Sequence, residues 1–125
     1  MKTIVHTNSA PAAIGPYSQA VKAGNLLFTS GQIALHPENG SMINQDIATE
    51  TKQVMANLEA VLNASGTDFS KVIKTVIFLR DLNDFEVVNR VYGSFFDGQF
   101  PARETVQVAR LPKDAGVEIS MVALV

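Results

Sequence analysis

A chain of 125 residues has the length of one ordinary domain, spanning residues 1–125 and able to build its own core. Hydrophobic residues make up 46% and charged ones 18%, so some of the apolar surface is expected to be buried between subunits. A net charge of -2 with no Lys/Arg cluster leaves no electrostatic footprint for nucleic acid, and zero cysteines exclude disulfides, thiolate catalysis and Cys-ligated zinc.

The N-terminal "MKTIVHTNSAPAAIGPY" has no uninterrupted apolar stretch of leader length, and no run approaches a membrane span. The expected home is the cytoplasm, where the sequons at Asn39 and Asn63 carry no meaning. Lys2 to His6 predicts a short first strand, followed by a loop, "TNSAPAAIGPYSQ", rich in Pro, Gly and small polar residues. "QAVKAGNLLFTSGQI" predicts two strands joined at Ala23-Gly24-Asn25, and "HPENGSM" a turn with Asn39-Gly40 at its tip.

From Asp46 to Ser65, Ile47, Val54, Leu58, Val61 and Leu62 recur at helical spacing, and Gly66 marks the end. A second helix is predicted to start at Asn83, with Glu86 three residues on, and to end at Gly98. Phe85, Val88, Val91, Tyr92 and Phe95 form its buried stripe. Between the helices, Lys71 to Leu79 is β-branched and apolar on both parities in its second half, as expected of a strand covered on both faces.

The last strands are predicted at Thr105 to Ala109 and Val117 to Leu124. Alternation puts Arg103, Thr105 and Gln107 on one face of the first, and Glu118 and Ser120 opposite Val117, Ile119, Met121 and Ala123 in the second. The element order implies an α+β fold, a mixed β-sheet with two helices packed on one face. The other face, part polar and part apolar through Val122 and Leu124, calls for a partner subunit, which a closed ring of identical chains would provide.

Arg103 stands at the mouth of a strand in "FPARETVQVARLP", either as a solvated edge charge or as a planar fork for an anion. Glu118 is either solvent-facing or, if its strand neighbours that of Arg103, part of a pair that neutralises itself or shares a ligand. A glutamate beside an arginine would be more acidic than a free one. Tyr17, in the "GPYSQ" loop, reads as packing or as a site residue. His6 and His36 are isolated from each other and from acids at metal-ligand spacing, so no metal is expected. Ser30 lacks the preceding glycine of a nucleophile elbow, and no P-loop or dinucleotide fingerprint is present.

Four blocks, "APAAIGPYSQA", "LFTSGQIAL", "FEVVNRVYGSFF" and "FPARETVQVARLPKDAGVEI", together resemble the Rid (YjgF) family of 2-iminoacid deaminases across essentially the whole chain. The resemblance implies a chorismate-mutase-like fold of the bacterial trimeric type, three chains around a central barrel, with active sites in the clefts between neighbouring subunits. It implies hydrolysis of small 2-imino or enamine acids, such as 2-iminobutanoate and 2-iminopropanoate, to 2-oxo acids and ammonia, with no cofactor. Carried over by position, Arg103 would grip the substrate carboxylate and Glu118 would hold the attacking water. Tyr17, Ser30, Gly31 and Asn89 match further cleft positions, and Thr105 stands where many relatives have cysteine, its backbone amide being the part expected to matter. Two departures are Glu104, where relatives have Ser or Thr, and Ser120, where they often have a second glutamate. The competing expectations are a non-enzymatic sensor of small 2-oxo acids or amino acids, and an endoribonuclease. The latter fits poorly with an acidic chain lacking basic patches.

Overall fold

A computed structural model describes all 125 residues. Six strands form one sheet: β1 (Lys2–Val5), β2 (Ala20–Ala23), β3 (Leu26–Thr29), β4 (Val72–Leu79), β5 (Ala102–Gln107) and β6 (Val117–Leu124). Their spatial order is β1-β2-β3-β6-β4-β5. All neighbours are antiparallel except β4 and β5, which run parallel because the second helix crosses between them. The expected hairpin forms between β2 and β3, with Gly24 taking the left-handed φ of 62° that its tight turn requires.

The two helices, α1 (Ile47–Ala64) and α2 (Phe85–Gly93), cover one face of this sheet. The α1 helix starts where the sequence predicts, its N-cap Asp46 accepting a hydrogen bond from the Thr49 N–H at 2.7 Å. It ends in a Schellman turn: the Gly66 N–H donates to Asn63 and the Thr67 N–H to Leu62, with Gly66 at φ 84°.

The second helix departs from expectation at both ends. Asn83 is not its cap, because the Asp81 carboxylate takes the Asn83 N–H and draws residues Leu82–Asp84 into a 3₁₀ turn. At the other end the helix stops at Gly93, five residues before Gly98, where Phe95 and Phe96 turn inward to meet the Phe69 ring at 5.6 and 5.5 Å. β5 also begins three residues earlier than predicted, since parallel pairing with β4 already holds at Lys74 and Ala102.

The core lies between α1 and the helix-side face of the sheet: Val54, Met55, Leu58, Val61 and Leu62 against Leu27, Ile77, Leu79, Val117, Ile119 and Met121. One charged group enters it. Glu50, 4% exposed, accepts a 2.6 Å hydrogen bond from the Gly116 N–H just before β6. The opposite face has no cover within the chain and is part polar, through Lys74, Glu104, Glu118 and Ser120, and part apolar. Ile4, Val21, Phe28 and Val122 lie on one rung, with Val76 and Phe78 on the next positions of β4, and Ile4, Phe28 and Val106 are exposed. No helix is long and apolar enough to cross a membrane.

Candidate active site

Arg103 is the second residue of β5 and pairs in register with Thr75 of β4, which turns its side chain to the helix side of the sheet. There it meets α2. Its Nη1 donates to Asn89 Oδ1 at 2.6 Å, and its Cζ lies 5.3 Å from the ring centroid of Tyr92 and 5.6 Å from that of Phe85. Phe85, Asn89 and Tyr92 follow one another at i, i+4 and i+7, so a single helix face presents all three. The guanidinium borders an open cavity of about 510 Å³, whose other walls are Arg90, Gly93, Phe100 and Pro101.

Thr105 follows Arg103 on the same parity. The Val108 N–H donates to Leu79, so alternation along a parallel strand directs the Thr105 N–H away from β4 and out of the sheet edge. Its Oγ1 is buried with no hydrogen-bond partner. Glu104 points to the opposite face, as alternation predicts, and pairs with Lys74 at 2.8 Å, leaving the Arg103 fork free of an internal acid.

Glu118 belongs to a different cluster. It sits on β6 opposite Phe78, on the face without helices. The loop after β3 is clamped against it by paired backbone hydrogen bonds between Gln32 and Ile119, 2.8 and 3.1 Å long. Gly31 comes so close that a Cβ there would lie 2.6 Å from Glu118 Oε2, and only glycine fits without displacing the carboxylate. Ser30 continues the chain of contacts, its Oγ donating to the Ser18 carbonyl at 2.5 Å and its N–H to that of Gln19 at 3.0 Å.

Buried Gln19 staples the preceding loop, accepting from the Thr7 N–H and donating to the Thr7 and Pro11 carbonyls. Tyr17 thus stands exposed on a loop tied directly to the Ser30 segment.

Two halves result: Arg103, Asn89 and Thr105 at one place, and Glu118, Gly31, Ser30 and the Tyr17 loop at another. The strands of Arg103 and Glu118 are not neighbours, because β4 lies between them, and the two side chains face opposite sides of the sheet. The expected acidity of Glu118 is therefore corrected. With no arginine beside it, partial burial dominates and pushes its pKa above the ordinary carboxylate value.

Sequence reading missed Phe85 and Tyr92 as neighbours of the guanidinium, having placed both in the core. Their helical spacing about Asn89 was the available signal. No group of three His, Cys, Asp or Glu side chains is placed to hold a metal ion.

Fold and site together define a two-layer α+β domain that offers an aromatic-backed guanidinium at a cavity on one side and a desolvated carboxylate on the other. The family described as Endoribonuclease L-PSP matches residues 7–125, and the chain belongs to this family, also called Rid or YjgF. Human 2-iminobutanoate/2-iminopropanoate deaminase is 44% identical over 124 residues, covering 99% of this chain and 90% of the human one. A Yersinia pestis structure of the Rid protein family, YyfA, superposes with a TM-score of 0.98 at 45% identity, covering 100% of both chains. Escherichia coli TdcF with bound serine superposes at 0.94 with 42% identity, covering 98% of each chain.

Proposed function

We propose that the protein is a 2-iminobutanoate/2-iminopropanoate deaminase that hydrolyses small 2-imino acids, working as a ring of three copies. The observation that carries the reading is the Arg103 guanidinium, held at a cavity mouth by Asn89 and two rings with its remaining N–H groups uncommitted. A planar fork so placed suits a carboxylate. The relative solved with serine holds a ligand carrying that group.

Because Glu118 faces away from Arg103 within one chain, the reacting centre is assembled from two copies, Arg103, Asn89 and the Thr105 amide from one and Glu118, Gly31, Ser30 and Tyr17 from its neighbour. The apolar part of the uncovered face supports such a ring.

In the reaction, Arg103 fixes the substrate carboxylate, and with it the adjacent imine carbon. Glu118 orients a water and accepts its proton as the oxygen bonds to that carbon, giving a tetrahedral amino alcohol. Return of that proton to nitrogen creates an ammonium leaving group, and as the C–N bond breaks the hydroxyl oxygen closes the C=O bond and passes its own proton through Glu118 to the departing ammonia. Imine and water become 2-oxo acid and ammonia, with no net redox change. Burial raises the Glu118 pKa within its own chain, and once the substrate carboxylate neutralises the neighbouring copy's Arg103 no opposing charge lowers it, so Glu118 can take the proton at this step.

The test is a threonine dehydratase reaction with semicarbazide present to trap the imine. Wild-type protein is expected to suppress trapping, and Arg103→Ala to lose that effect. Absence of suppression by wild type contradicts the reading.

A further inference from the structure

The guanidinium of Arg103 lies at the corner of a closed triangle. Thr75 and Arg103 are register partners on adjacent strands, and Tyr92 on the helix above spans both. The Tyr92 hydroxyl donates to Thr75 Oγ1 at 2.9 Å, while its ring lies 5.3 Å from Arg103 Cζ. Tyr92 has little freedom of its own, being 3% exposed with its ring 4.9 Å from that of Phe96. Phe85, one helical turn before Asn89, presents the second ring at 5.6 Å.

We propose that Tyr92 and Phe85 are positioning residues for Arg103: an aromatic clamp, indexed to the sheet by the Tyr92–Thr75 hydrogen bond, that fixes the plane in which the fork meets a carboxylate. The physical case rests on three features. An arginine side chain is long and loses rotamer freedom when it grips an anion, so fixing it beforehand removes that cost from binding. Both rings are within the range of cation–π attraction, and the interaction strengthens where water is excluded, as it is at the buried Tyr92. Finally, Asn89 engages only Nη1, and one hydrogen bond leaves the guanidinium free to swing about it. The rings remove that swing.

The inference rests on the proposed substrate-gripping role of Arg103, yet it can be read without turnover. Nitrogen-15 relaxation of the Arg103 Nε–H reports directly whether the guanidinium is held, and affinity for 2-oxobutanoate reports what holding it contributes. In wild type the Nε–H is expected to be as ordered as the surrounding backbone. Tyr92→Leu should free it, weaken 2-oxobutanoate about tenfold and raise KM by a similar factor while kcat changes less than about threefold.

Tyr92→Phe keeps the ring and should restore Nε–H order and affinity to within about twofold of wild type. Phe85→Leu, at a half-exposed position, should loosen the guanidinium and raise KM about threefold, keeping the test available if Tyr92→Leu fails to fold. An Nε–H equally ordered in wild type and Phe85→Leu, with unchanged 2-oxobutanoate affinity, would overturn the clamp. Failure of wild type to act on imines removes the deaminase reading and leaves the relaxation result to decide the clamp separately.

Discussion

At Arg103 and Glu118 the two halves of the proposed chemistry make separate demands. Arg103→Ala removes a charge-assisted, two-pronged contact, so KM should rise by about 10- to 100-fold in steady-state kinetics. Glu118 carries a pKa raised by burial, and its basic form is lost as pH falls through that raised value. With the neighbouring copy's Arg103 neutralised by bound substrate, the acid limb of kcat should lie above the ordinary glutamate value of 4.5 and disappear in Glu118→Gln together with most of the activity.

The same shift sets the sign for stability. A carboxyl whose pKa is higher folded than unfolded binds its proton more tightly when folded, so its contribution falls as pH rises through that window. At dilution that separates the copies, and so removes the neighbouring Arg103, Glu118→Gln should be more stable than wild type at neutral pH, with the difference closing below the unfolded pKa. Thermal unfolding at several pH values checks this, and a less stable Gln variant at pH 7 would refute the desolvation account.

At the scale of elements, the loops are set by a few close approaches. Gly31→Ala places a methyl group 2.6 Å from the Glu118 carboxylate, the movable end of a flexible chain, so the carboxylate shifts and the fold survives. Activity is expected to fall at least about tenfold with little change in Tm. Glu50→Ala behaves oppositely. It leaves the buried Gly116 N–H without an acceptor and should cost about 2 kcal/mol in denaturant unfolding, with activity at low temperature retained.

Much at this scale could be read from local pattern. The Asp46 and Gly66 boundaries of α1, the Gly24 hairpin and the alternation of β6 all follow from spacing within a dozen residues. What escaped depends on contacts distant in sequence. Parity told which side of its own strand each of Arg103 and Glu118 occupies, but not that β4 would insert between those strands and set the two parities on opposite faces. The end of α2 was hidden for a similar reason, since the pull of Phe69 on Phe95 and Phe96 is tertiary.

For the whole molecule, the proposed ring accounts for both the uncovered sheet face and the separation of Arg103 from Glu118. Ile4, Val21, Phe28, Val76, Phe78 and Val122 form an apolar surface, and the proposed ring buries it between copies. A charge introduced there should separate the copies without unfolding them. Val76→Asp is expected to sediment near the single-chain mass of 13.5 kDa, to keep its circular dichroism and to lose deaminase activity, whereas wild type sediments at about three times that mass.

The most direct measurement is complementation between two variants, Arg103→Ala and Glu118→Ala, each purified alone, then mixed in equal amounts under conditions that allow subunit exchange and assayed at a substrate concentration too low for either alone to act. If each reacting centre draws its guanidinium from one copy and its carboxylate from the next, random mixing rebuilds about one quarter of the centres, and imine hydrolysis should recover to about that fraction of wild type. A mixture that exchanges subunits yet stays as inactive as its components would contradict a centre shared between copies.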